Sequence, residues 1–100
     1  MIRIIVKQFV KPDLIDRYIE IMKEMVAKTR ELDEGCIEYG LFQDSKDPQI
    51  ITLIEGWESQ HALDKHMDST HFKEIIPPLS TFFEKPEEVN IYRPVGEKRK

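Results

Sequence analysis

The sequence predicts an α+β domain, helices layered on an antiparallel sheet, and three observations carry that expectation. Apolar residues alternate with a period of two near the N-terminus, switch to three- and four-residue spacings over Leu14 to Leu32, and return to the strand pattern twice between residues 36 and 58. A turn at Lys46-Asp47-Pro48 separates those last two strands closely enough for a hairpin. A shorter helical stretch and a β-rich segment after Pro86 complete the order β-α-β-β-α-β, the split pattern of a ferredoxin-like sandwich.

Each element has a local reason. In residues 2–10, Ile2, Ile4, Val6, Gln8 and Val10 share one strand face, with Arg3, Ile5, Lys7 and Phe9 on the other. Pro12 suits the first turn of a helix, where its missing N–H costs nothing. Leu14, Ile15, Tyr18, Ile19, Met22, Met25 and Val26 then form one apolar stripe, and Gly35 is the expected stop. Residues 36–44 and 50–58 are the paired strands. Ser59 can cap a helix to about Asp68, and Ser69 or Thr70 another beginning near His71. Pro77-Pro78 must disturb that last helix. The final strand is expected over Glu88 to Pro94.

Composition narrows the function. One hundred residues with 40% hydrophobic content make a single folded domain, residues 1–100, with no linker or repeat. The net charge of −4 argues against nucleic acid, and the only basic cluster is the tail Lys98-Arg99-Lys100. A lone cysteine, Cys36, excludes an internal disulfide and fits a reducing compartment. The first residues carry charge too soon for a signal peptide, and no apolar run is long enough to span a membrane. A cytoplasmic protein is expected.

The hairpin strands imply a partner. Ile37, Tyr39 and Leu41 fall on one face with Cys36 and Phe42 on the other; Ile51, Leu53 and Trp57 oppose Ile50, Ile54 and Gly56. Helices of this topology cover only one face, so the other would expose an apolar patch that monomers rarely carry. A homodimer joined through the sheet faces is the expectation.

His66 and His71 are the sharpest chemical candidates, because imidazole exchanges protons near neutrality. His66 follows Leu63 by three and lies next to the sheet-packing helix face. His71 stands at a helix start, where the dipole favours a neutral ring. Against these readings, either histidine could be a surface or capping residue; His61 is expected in solvent. Tyr39, Phe42, Trp57, Phe72, Phe82 and Phe83 could line a pocket for an aromatic ring, although aromatic residues in a small core more often simply fill it. Gln8 and Thr52 are polar residues in apolar strands, facing either solvent or a cavity. Glu55 shares a face with Leu53 and Trp57 and must pair, sit at a rim or line the cavity. Cys36 reads as a small buried hydrophobe. Histidines spaced by five do not stack on one helical face, and no acidic residue is set with them in a ligand pattern, so no metal is expected. Four isolated glycines give no phosphate loop, so no nucleotide or flavin is expected either.

These residues resemble a known family. Glu34-Gly35-Cys36, Tyr39, Phe42-Gln43-Asp44, Asp47-Pro48, Ile54-Glu55-Gly56-Trp57-Glu58-Ser59, Ala62-Leu63, His66 and His71-Phe72 look like the antibiotic biosynthesis monooxygenase domain, over nearly the whole chain. The resemblance implies a dimeric ferredoxin-like fold of the α/β-barrel type, with a pocket between helices and sheet. It also implies several activities. Some members oxygenate quinols or polyphenols with O2 and no cofactor, the deprotonated substrate itself reducing oxygen; there His66 or His71 would take the phenolic proton and Tyr39 and Trp57 would orient the ring. Others isomerise a phosphorylated sugar. Others degrade haem, but the positions those relatives use hold Gln8, His66 and Ile76 here, which disfavours haem. A cofactor-free monooxygenase acting on a quinol is the leading expectation; an isomerase of a small metabolite and a non-catalytic binding dimer are the alternatives.

Overall fold

A computed structural model describes residues 1–96; the basic tail Lys98–Lys100 lies outside the described residues. Strand β1 (Ile2–Val10) leads through a 3-10 turn at Pro12–Leu14 into α1 (Ile15–Leu32). The hairpin β2 (Cys36–Gln43) and β3 (Ile50–Trp57) follows, then α2 (Gln60–Met67), α3 (Thr70–Ile75), a 3-10 stretch at Pro77–Phe82, and β4 (Phe83–Tyr92). The sheet order is β2-β3-β1-β4, with every neighbouring pair antiparallel. This is the α+β ferredoxin-like sandwich expected from the sequence. No helix among the described residues is long and apolar enough to cross a membrane.

The helix stripes are where the spacing put them. Tyr18, Met22, Met25 and Thr29 recur at helical intervals and are all buried against the sheet. Fully burying each of the two methionine side chains stabilises by roughly 1.5–3 kcal/mol. Ser59 caps α2 by accepting the Ala62 N–H, and Ser69 caps α3 by accepting the Phe72 N–H. The paired prolines turn the chain out of α3 into 3-10 geometry, which their rings permit and an α-helix interior does not.

Two irregularities depart from the expected strands. β4 begins at Phe83, not after Pro86, because the register skips between Lys7↔Glu88 and Phe9↔Lys85 and Pro86 falls in that bulge, where no ladder N–H is required of it. In β2 a bulge between Cys36 and Glu38 leaves Ile37 as the extra residue, half exposed. Cys36 thereby moves to the helix-covered face opposite Trp57, and the simple alternation predicted for Cys36 and Ile37 is corrected.

The registers assign the sheet faces. Ile4, Glu55, Tyr39 and Ile91 stand in one cross-strand row under the helices, and Val6, Leu53, Leu41 and Val89 in the next. The uncovered face carries Ile5 paired with Ile54, plus Phe9, Phe42 and Ile50. It is more polar than the sequence reading expects. An Arg3–Glu38 ion pair, Lys7, Thr52, Glu88 and Asn90 share it.

Candidate active site

The loop that ends α1 sets the site's geometry. Gly35 has a φ of +82°, and a Cβ there would stand 2.6 Å from the Ala62 Cβ, so only glycine lets this loop lie against α2. That contact delivers Asp33 to both histidines. Asp33 Oδ2 lies 2.6 Å from His66 Nδ1 and 2.9 Å from His71 Nε2.

The proton positions follow from the donors. Ser69 has one hydroxyl proton and gives it to the His66 carbonyl at 2.6 Å. Towards His71 Nε2, 3.2 Å away, the same oxygen can only accept, so Nε2 carries the hydrogen it also donates to Asp33. His66 donates from Nδ1. Its Nε2 is then a bare acceptor, and it is buried with no partner. Burial holds the His66 ring below its ordinary pKa, outweighing the Asp33 carboxylate that pulls the other way. A neutral imidazole with one nitrogen anchored and the other vacant is the form a general base requires.

His66 lines a cavity of about 290 Å3 between the sheet and α2–α3. Ile4, Val6 and Leu53 form its floor, Leu63, Met67, Phe72 and Ile76 its helical wall, and Val89 and Ile91 its rim on β4. The polar groups are few: Gln8, Tyr39, Glu55, Gln60, His66 and Glu87. That mix of apolar lining and sparse polar groups, near the lower end of the ~300–1,000 Å3 typical of ligand sites, suits a small, mostly flat molecule. A groove of about 340 Å3 between α1 and β2 has Lys23 and Arg30 among its lining residues but no general base. A cleft of about 320 Å3 meets the other side of His66 and includes Asp33, Lys65 and Ser69, so the Asp33–His66 pair stands between solvent and cavity.

The predicted site residues divide accordingly. Gln8, Tyr39, His66 and Phe72 come together on the cavity wall. Gln8 is held there by the Tyr18 hydroxyl, which donates to its Oε1, while its Nε2 donates to Glu87 at 3.1 Å. His71 stands behind His66 and orients it through Asp33. Trp57 is wholly buried and lies outside the lining. Its ring packs 4.5 Å from the His66 ring, and its Nε1 donates to Glu55 Oε1 at 2.9 Å. Thr52 pairs with Lys7 and Phe42 on the uncovered face, away from the cavity; the register that brings Leu53 inward turns its neighbour outward. His61 is exposed. Burial pushes the Tyr39 phenol far above its ordinary pKa and Glu55 from 4.5 up to about 7.

One group was missed and one left open. Asp33 sits where the sequence reading found no acidic partner, and the fold, not a spacing, supplies it. Glu55 was open among three placements, and the structure assigns it to the cavity. Asp33, His66 and His71 also bring three ligand-type atoms within 4.8 Å of one another. Two ligands at about 2.0–2.1 Å from one tetrahedral ion stand about 3.3 Å apart. The 2.6 and 2.9 Å contacts are hydrogen bonds instead.

A small antiparallel α+β sandwich with a mostly apolar pocket and a buried histidine on its wall defines a class of small α+β domains. Within it, the chain belongs to the antibiotic biosynthesis monooxygenase family, whose model matches residues 1–77. A conserved protein of known structure from Methanosarcina mazei Go1 is 41% identical, with a TM-score of 0.87 over 92% of this chain and 90% of that one. A structure described as an antibiotic biosynthesis monooxygenase is 34% identical, with a TM-score of 0.88 over 95% and 99%. A Synechocystis protein, sll1783, is 29% identical over 84% of this chain, which spans 56% of that relative's length.

Proposed function

We propose that the protein is a cofactor-free, cytoplasmic monooxygenase acting with O2 on a quinol or related dihydroxy-aromatic molecule, and that it works as a homodimer. The observation that carries this reading is His66 on the cavity wall, its Nδ1 anchored on Asp33 and its buried Nε2 without a partner among the described residues. In the reaction, His66 takes the phenolic proton and the ring anion adds O2 at an adjacent carbon. The ring peroxide then loses the hydrogen of that carbon as the O–O bond breaks. One oxygen atom stays as a carbonyl and the other leaves as water. The substrate supplies two electron pairs, and the two protons it sheds enter the water, giving a hydroxyquinone. Apolar walls favour this chemistry by excluding solvent from the peroxide.

A phosphorylated sugar fits less well, since among the described residues no lysine or arginine lines the cavity. The open volume also argues against a pocket closed by its own side chains. The test is oxygen consumption by chelator-treated protein over a panel of reduced quinols, corrected for autoxidation. Uptake that falls at least about a hundredfold in His66→Ala supports the reading. Uptake no greater than background for the unsubstituted protein refutes it.

A further inference from the structure

The reaction above uses one base, yet the cavity holds a second buried titratable group. Glu55 is 6% exposed and shares the cavity wall with Tyr39 and His66. Its Oε1 is taken by the Trp57 indole N–H at 2.9 Å, which leaves Oε2 to meet a ligand. The same indole packs against the His66 ring, so Trp57 fixes the base and the carboxyl relative to each other.

We propose that Glu55 is the acid of this site: its carboxyl gives a proton to the distal oxygen of the ring peroxide, and His66 supplies the complementary base. The proposal rests on the monooxygenase reading and deepens it. It also specifies the substrate class: an aromatic diol whose ionising hydroxyl faces His66 while the carbon that takes oxygen faces Glu55. The step balances. The Glu55 O–H bond breaks and the peroxide O–H bond forms; the ring C–H and O–O bonds then break, and the departing hydroxide takes one of the two protons that the substrate sheds and leaves as water. Glu55 regains a proton from the pair that the substrate sheds, and no outside reductant is needed.

The surroundings favour the protonated form of the carboxyl. Across the sheet it faces Ile4 on β1 and Tyr39 on β2, and Cys36 stands near on the same strand. From α2, Gln60 and a neutral His66 share the cavity wall with it, and so does Glu87 from β4. Among the described residues no lysine or arginine lines the cavity to stabilise an anion, and burial raises the carboxyl to about 7 against the lesser, opposing effect of the Trp57 hydrogen bond. An acid that titrates near the working pH is well matched to its task.

The test uses the full-length protein with 1,4-dihydroxynaphthalene, an oxygen electrode, and infrared difference spectra taken through neutrality. Expected for Glu55→Gln, which keeps an acceptor for Trp57, is a kcat lower by about a hundredfold or more with KM within about twofold. The infrared band of a protonated carboxyl that titrates near neutrality in the unsubstituted protein should be absent. Trp57→Phe removes the donor that favours the ionised carboxyl, so the alkaline limit of kcat should move to higher pH. Unchanged kcat in Glu55→Gln, or a neutral-range carboxyl band that survives it, overturns the proposal. Should the unsubstituted protein consume no oxygen, the monooxygenase reading fails and the proposal with it. That failure would show in the unsubstituted protein itself, unlike a failure confined to the role of Glu55.

Discussion

His66 and Asp33 are 33 positions apart in the chain, yet Nδ1 of one lies 2.6 Å from Oδ2 of the other, the shortest contact either histidine makes to the carboxylate. This bond fixes which nitrogen of His66 is bare. In Asp33→Asn the amide can present N–H to Nδ1, which then accepts, and the ring carries its proton on Nε2. The base is lost with its geometry intact. We expect kcat for quinol-dependent oxygen uptake to fall about 10²–10⁴-fold with little change in KM, the effect of removing a general base. An unaltered circular dichroism spectrum would separate this from unfolding.

Glu55 predicts an unusual pH dependence of stability. Its folded pKa, about 7, lies above the ordinary 4.5, so the native state binds more protons than the unfolded chain between those values. Stability contributed by the protonated carboxyl is fully present below 4.5 and is lost as pH rises to about 7, after which the penalty is constant. At 1.36 kcal/mol per unit the loss is about 3 kcal/mol. His66 works in the opposite sense: its lowered pKa costs stability as pH falls below its ordinary 6.5. Comparing Glu55→Gln with the unsubstituted protein isolates the carboxyl. In urea unfolding the variant should be more stable above neutrality, by up to about 3 kcal/mol, and the difference should shrink towards pH 4.5. A difference independent of pH would show that the carboxyl is ionised throughout.

Gly35 supports the site from outside it. Any side chain there meets both the left-handed backbone and the Ala62 Cβ at 2.6 Å. The backbone alone costs about 1–2 kcal/mol in a non-glycine residue. Gly35→Ala should therefore lower the melting temperature, and the movement of the loop away from α2 should lengthen the Asp33–His66 bond and reduce kcat as well. The double variant Gly35→Ala/Ala62→Gly relieves the contact and should recover part of the activity while keeping the backbone cost.

The elements were legible in the sequence because each has a local cause. The stripe from Leu14 to Val26, the Ser59 and Ser69 caps and the Asp47-Pro48 turn all act within a few residues. Gln8, Tyr39 and His66 were legible as pocket residues because an inward polar or aromatic group on an otherwise apolar face is unusual. Asp33 was not, since nothing near it in the chain marks it; only the close approach of the Gly35 loop to α2 carries it to the histidines. Thr52 and Ile37 show the limit of alternation. One bulge after Cys36 and a choice between two half-apolar faces decide which side a residue takes, and neither is written in a single strand.

The uncovered sheet face yields the last prediction. At its centre Ile5 pairs with Ile54, flanked by Phe9, Phe42 and Ile50, while Arg3–Glu38 and the Lys7–Glu88 pair lie on the same face. An apolar centre with charged surroundings is the anatomy of a protein interface. In a two-fold dimer the same patch meets itself, so one substitution places two equal charges close to the axis. Ile54→Lys should therefore weaken the dimer by about a hundredfold or more, since each ammonium must be desolvated beside its copy. Ile54→Val removes one methylene and should leave association nearly intact. Sedimentation equilibrium over a range of protein concentrations distinguishes the two. Ile54 faces away from the cavity, so any loss of oxygen uptake in Ile54→Lys that recovers at high protein concentration would place the dimer upstream of the chemistry. A monomeric unsubstituted protein at all concentrations would remove the interface from this face.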